Sequence, residues 1–166
     1  MPYFSWSPAY SIGLKEIDLQ HKSLVQAVNA LHEALHTQGG ARDLGWMLDF
    51  LAHYTVEHFQ AEETLMDSTG YPRTEAHTRI HKELLGQVGE FLGRYQHGTE
   101  DISEGLLDFL KQWLMVHIGE EDRRLGAHVQ LSKASQAPVG SGLFNRADPG
   151  NPVQKTGAAL VTGPLH

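Results

Sequence analysis

Residues 58–81 read HFQAEETLMDSTGYPRTEAHTRIH, and the fold turns on this stretch. Its first half places His58, Glu62 and Leu65 three or four residues apart, the repeat of a single helix face. Gly70 and Pro72 interrupt that repeat, and Thr74 followed by Glu75 suits the start of a new helix. The new helix opens with His77 and His81, again four apart. Helices joined by so short a turn pack antiparallel, so the end of one and the start of the next share a level. The spacing predicts that His58, Glu62, His77 and His81 meet.

Outward from this hairpin the apolar residues keep a helical period. The upstream helix runs from about Arg42 to Asp67, with Leu44, Met47, Leu48 and Leu51 on its face. The downstream helix carries Ile80, Leu84, Leu85, Val88, Phe91, Leu92 and Tyr95 and ends at Gly98. An earlier helix, from about Asp18, shows Leu24, Val25, Val28, Leu31 and Leu35 and stops at Gly39-Gly40. A last one opens with Asp101 and Glu104 as a capping box, carries Leu106, Leu107, Leu110, Trp113 and Leu114, and reaches about Leu131.

The expected fold is therefore all-α, an up-down-up-down four-helix bundle with an N-terminal arm over residues 1–131. Trp6, Tyr10 and Ile12 of the arm are expected to pack across one end. Residues 132–166, rich in Gly, Pro, Ser and Ala, read as a flexible tail, with Leu143, Phe144, Leu160 and Val161 as weak docking points for an unidentified protein partner.

Composition removes several classes of function. The 166 residues include no cysteine, so disulfides, thiolate metal sites, iron–sulfur clusters and thiol nucleophiles are excluded. A net charge of -7 argues against a nucleic-acid surface. Met1 to Ser11 does not read as a signal peptide, and no apolar run approaches the ~20 residues that span a bilayer. The expectation is a soluble, cytoplasmic monomer, with no membrane partner and no exposed apolar stripe that forces assembly.

The 11 histidines are the unusual count. With the helices alternating in direction, His21, early in the first, and His117, late in the fourth, reach the level already set by His58, Glu62, His77 and His81. A second carboxylate follows His117, either Glu121 or Asp122. Glu121, four residues on, shares its face better, whereas Asp122 lies roughly 140° round a regular helix and fits if it and His117 straddle the inward direction or if the helix is locally distorted. His77, His81 and His117 supply three imidazoles to one metal, and His21 and His58 supply two to another. Two bridging carboxylates and one water-derived oxygen then complete six ligands on the first metal and five on the second. One position stays open, on a donor set suited to iron or another first-row metal. His32 and His36 also form an HxxxH pair, but His32 lies about 16 Å further along the axis than His21. No histidine on the other helices reaches that level, so both are read as non-ligands, as are His53, His97, His128 and His166.

The order His21, then His58/Glu62, then His77/His81, then His117/Asp122 resembles the hemerythrin family, its bacterial branch in particular. The flanking segments Ile17-Asp18-Leu19-Gln20-His21 and Trp113-Leu114-Met115-Val116-His117-Ile118 are similar too. The resemblance covers about residues 5–131 and selects Asp122 over Glu121. It implies an oxygen-bridged pair of non-haem irons that binds dioxygen reversibly, with Phe59, Trp113, Leu114 and Ile118 lining a dry pocket. Oxygen storage, transport or delivery is thus expected rather than enzymatic turnover, since every strong residue is used as a ligand. Two alternatives stand beside it: an oxygen or redox sensor, and a diiron oxidase or a peroxide- or nitric-oxide-handling enzyme. Ferritin-like enzymes use two Glu-x-x-His motifs, and only Glu33–His36 has that spacing here.

Overall fold

The computed structural model describes residues 1–37 and 44–136. Gly39-Gly40, Arg42 and the tail positions beyond Gln136 lie outside the described residues. Four helical rods form the bundle: α1 (Lys15–His36), α2 (Leu44–Thr69), α3 (Thr74–Gln96), and a fourth made of α4 (Glu104–His117), a π turn (Ile118–Asp122) and α5 (Arg123–Gln136). The last rod thus extends beyond the expected limit at Leu131. Helix α1 packs on α2 and α4, and α2 on α3.

The α2–α3 hairpin closes as its sequence predicts. Gly70 adopts φ +62, a left-handed conformation that costs glycine little. The Tyr71 N–H donates to the Met66 carbonyl (2.9 Å) and the Gly70 N–H to that of Asp67 (3.3 Å), the two bonds of a Schellman stop. Tyr71 and Met66 are both buried, which adds the apolar contact of that motif. The opening of α4 differs from expectation. Ser103, not Asp101, is the N-cap, and its hydroxyl accepts from the Leu106 N–H.

The N-terminal arm is ordered but does not cross one end. It runs lengthwise along α1 and the fourth rod. At its start Phe4 exchanges two 2.7 Å hydrogen bonds with the Asn29 side chain, and the Tyr3 hydroxyl donates to Asp108. At its finish the Ile12 carbonyl accepts from Gln130 (3.0 Å), and Asp18 accepts from the Ile12 N–H (2.8 Å) and the Ser11 hydroxyl (2.6 Å). Gly126 lets the two backbones meet: a Cβ there would lie 2.4 Å from the Ile12 carbonyl oxygen.

Surface apolar groups also depart from expectation. Trp46 and Phe50 on α2 are exposed and stack on one another, and Phe50 stacks on Tyr54. Among the described residues, no helix is long and apolar enough to cross a membrane.

Candidate metal centre

The six side chains singled out by spacing and the Asp122 supplied by the family resemblance converge inside the bundle. His21, His58, Glu62, His77, His81, His117 and Asp122 are all buried, none more than 4% exposed. Each rod contributes what its direction requires: α1 near its start, α2 near its end, α3 at its start, and the fourth rod across its π turn. The π turn places Asp122. Its five residues widen one turn of the helix, so a side chain five positions after His117 comes back to the same face. Glu121 is turned away and pairs outside with Arg73 (3.3 Å) and with Arg124. Those two arginines, outweighing partial burial, hold its carboxyl below the usual range.

Both carboxylates divide their oxygens between two groups of histidines. Glu62 Oε1 faces His21 and His58 at 3.7 Å, while its Oε2 faces His77 at 3.4 Å and His81 at 3.3 Å. Asp122 Oδ2 lies 3.0 Å from His21, and its Oδ1 lies 3.2 Å from His77 and 3.0 Å from His117. Two overlapping donor groups result: Glu62, His77, His81, His117 and Asp122 in one, His21, His58, Glu62 and Asp122 in the other. The Nε2 atom of His117 sits 3.2 Å from that of His77 and 3.1 Å from that of His81. Two imidazoles held about 2.1 Å from a metal at right angles would stand about 3.0 Å apart. The arrangement suits a cation and little else, because all four carboxylate oxygens and both nitrogens of His21 are buried without a hydrogen-bond partner.

Protons can balance part of this charge. Burial alone would lower His21 and His77, yet the carboxylates facing them push both up to about 9. Burial pushes His58 down to about 4. Glu62 and Asp122 are held below their usual range, the surrounding histidines outweighing burial.

Several supporting groups were not singled out from the sequence. Gln20 Oε1 lies 3.0 Å from His58 Nδ1, and Glu63 Oε1 lies 3.3 Å from His81 Nδ1. Such contacts fix the ring and leave Nε2 facing inward. Gln20 and Glu63 each sit next in sequence to a predicted ligand, and that adjacency was the available signal. Trp6 of the arm stacks towards His21, and Tyr71 meets the edge of His77. Phe59 lies flat on His81 (3.7 Å, 3°) and Trp113 on His117 (4.2 Å, 19°).

A cavity of about 20 Å³ lies one turn above this layer, lined by Leu24, Val28, Leu51, Thr55, Phe59, Leu84, Leu110, Trp113 and Leu114. Leu24 and Leu84 follow His21 and His81 by three residues, and Thr55 and Leu114 precede His58 and His117 by three. The Thr55 hydroxyl is spent on the Leu51 carbonyl (2.8 Å), so the lining is effectively apolar. Three of the four predicted pocket residues border this space. Ile118 is buried beside His117 but does not line it. His53, His97 and His128 bond to backbone carbonyls of Asp49, Gly93 and Thr69, away from the cluster.

Comparison with known proteins agrees with this geometry. Residues 12–129 match the hemerythrin HHE cation binding domain. The bacteriohemerythrin of Stenotrophomonas maltophilia (strain R551-3) is 36% identical over 130 residues, covering 78% of this chain and 84% of its own. That of Methylococcus capsulatus (strain ATCC 33009 / NCIMB 11132 / Bath) is 32% identical over 127 residues, covering 76% and 96%. A crystal structure of wild-type hemerythrin superposes with a TM-score of 0.73 at 30% identity, over 76% of this chain and 98% of that one. This chain belongs to the hemerythrin family.

Proposed function

We propose that this hemerythrin-family chain holds two irons on His21, His58, Glu62, His77, His81, His117 and Asp122 and binds dioxygen reversibly. The observation that carries the reading is the unequal division of donors. Glu62 and Asp122 belong to both groups, which then hold three histidines and two. The ion held by His21 and His58 would therefore have one protein ligand fewer than the ion held by His77, His81 and His117. When bound, a ferrous pair supplies that open coordination position and two electrons that can be lent and recovered.

The protein's own residues do the rest. Gln20 and Glu63 orient His58 and His81 so that Nε2 is the ligating atom. Glu62 and Asp122, each turning one oxygen to either histidine group, would be shared between the two ions. Phe59, Trp113 and Leu114 exclude water and border a cavity that admits one small molecule. A dry, apolar entrance keeps protons and water from reaching the centre, which favours release of the gas over irreversible oxidation. No uncommitted acid or base faces that cavity, so a carrier suits the site better than a catalyst.

Iron is to be counted in the anaerobic protein, then its optical spectrum followed while oxygen is admitted and withdrawn. About two irons per chain, with a visible charge-transfer band that appears and vanishes with the gas, are expected. Irreversible oxidation, with turnover of peroxide or of an added substrate, would replace this reading with the enzymatic one. Zinc, or no metal, would overturn it.

A further inference from the structure

A second grouping of metal-binding side chains sits at the opposite end of the bundle. His32 and His36 lie four apart on α1 and share a face, and Glu104 opens α4 beside them. One donor atom from each of the three lies within 4.8 Å of the other two. Among the described residues no histidine of another helix joins His32 and His36; the third donor there is a carboxylate.

We propose that His32, His36 and Glu104 form a surface site for one divalent first-row ion of the zinc or copper class, independent of the interior centre and of the function proposed for it. Two imidazoles and a carboxylate are a sufficient donor set for such an ion, with water completing a tetrahedron. The rings are prepared for the task. His36 Nδ1 lies 2.7 Å from the His32 carbonyl, to which it donates, so Nε2 is left as the ligating atom, 2.6 Å from Glu104 Oε1. Tyr3 stacks on His32 (4.2 Å, 10°) and fixes its plane. Tyr3 is itself tied down, its hydroxyl donating to Asp108 and its carbonyl accepting from Lys111. His32 is held beside the His36–Glu104 pair, its ring 4.3 Å from that of His36.

Position gives a cation access as well. The site joins the C-terminal end of α1 to the N-terminal end of α4, where the two helix dipoles offset one another. His36 and Glu104 are about half exposed (52% and 53%), so an ion can enter from solvent without opening the bundle. Ligands drawn from α1 and α4 would let the ion clasp those helices at the end far from the interior centre.

The test titrates the full chain as isolated with zinc, while the metal held in the interior is counted in parallel. One zinc per chain should bind with the interior metal retained. His36→Ala and Glu104→Gln should each weaken it by at least about tenfold, since even outer-shell losses cost that much. His53→Ala should change nothing. Circular dichroism verifies that the variants remain folded. The proposal is overturned if no zinc binds, if zinc enters only in exchange for interior metal, or if His36→Ala binds zinc as tightly as the unaltered chain. A chain isolated without iron would count against the dioxygen reading; zinc would then fill the interior first, and the surface site would be read from the additional zinc that His36→Ala removes, its absence overturning this proposal.

Discussion

In the half of the bundle remote from the metal cluster, Leu31, Leu48, Val88, Phe91 and Leu107 fill the space between the rods with hydrocarbon. In the other half, His21, His58, Glu62, His77, His81, His117 and Asp122 occupy the corresponding inward positions. The apolar half is stable on its own terms, because each large side chain removed from water contributes roughly 1.5–3 kcal/mol. The polar half has no such return. Its two buried carboxylates face imidazoles rather than a lysine or arginine, and their oxygens lack hydrogen bonds. One scaffold thus carries a region that packs itself and a region completed by a bound cation. The arm follows the same division, passing from Tyr3 beside His32 to Trp6 beside His21 and bracing the polar half from outside.

Removing the metal should break the comparison most strongly. Metal-free protein is expected to melt at least about 10 °C lower, because binding energy at such a site is folding energy. Equal midpoints, measured by calorimetry with and without iron, would show that the polar half needs no cation. Next in effect is the contrast across the π turn. Asp122→Asn should drop iron below two per chain, whereas Glu121→Gln should retain both and shift stability by about 1 kcal/mol or less. Iron counting decides it, and the reverse pattern would mean that the π turn does not select the ligand.

Leu48→Ala tests the apolar half. It should cost about 2–5 kcal/mol in denaturant unfolding while leaving iron stoichiometry unchanged. Loss of iron in that variant would show that the two halves are not separable. Gly126→Ala should cost about 1–3 kcal/mol, since its Cβ would collide with Ile12, and should make the arm easier to proteolyse. An arm as resistant to protease as before would mean that the close approach is not needed.

A further effect is one of pH, confined to the metal-free chain. His21 and His77, raised from 6.5 to about 9, hold protons that the unfolded chain has lost. Stability should therefore fall as pH rises from 6.5 towards 9, by up to about 2.7 kcal/mol per unit, about 1.36 for each histidine. His58, lowered to about 4, works in the opposite sense, so stability should also fall as pH drops below 6.5. With iron in place of those protons the alkaline decline should disappear. Melting curves across pH on both forms would reveal whether it does.

How legible these regions were in the sequence differed with their physics. The apolar half could be read from Leu24 to Leu31 or Leu84 to Phe91 by period alone, since burial repeats with the helix turn. The ligand layer was legible too, because antiparallel helices with short connections convert distance along the chain into height in the bundle. Period says nothing about exposed faces, which is why the Trp46–Phe50–Tyr54 run was missed. Nor could composition indicate that Ser103 rather than Asp101 caps α4, as both are good caps within one turn.

By itself the sequence determined four amphipathic helices, their alternation, and six of the seven inward donors, because these follow from spacing within each helix and from the order of helices joined by short turns. The family resemblance supplied Asp122. Tertiary structure decided why Asp122 and not Glu121 faces inward, that the arm runs lengthwise, and that Glu104 comes to stand beside His32 and His36. These three depend on how each helix is rotated and where its turns widen. Rotation is settled by packing between elements, a quantity that no count of residues along one chain contains.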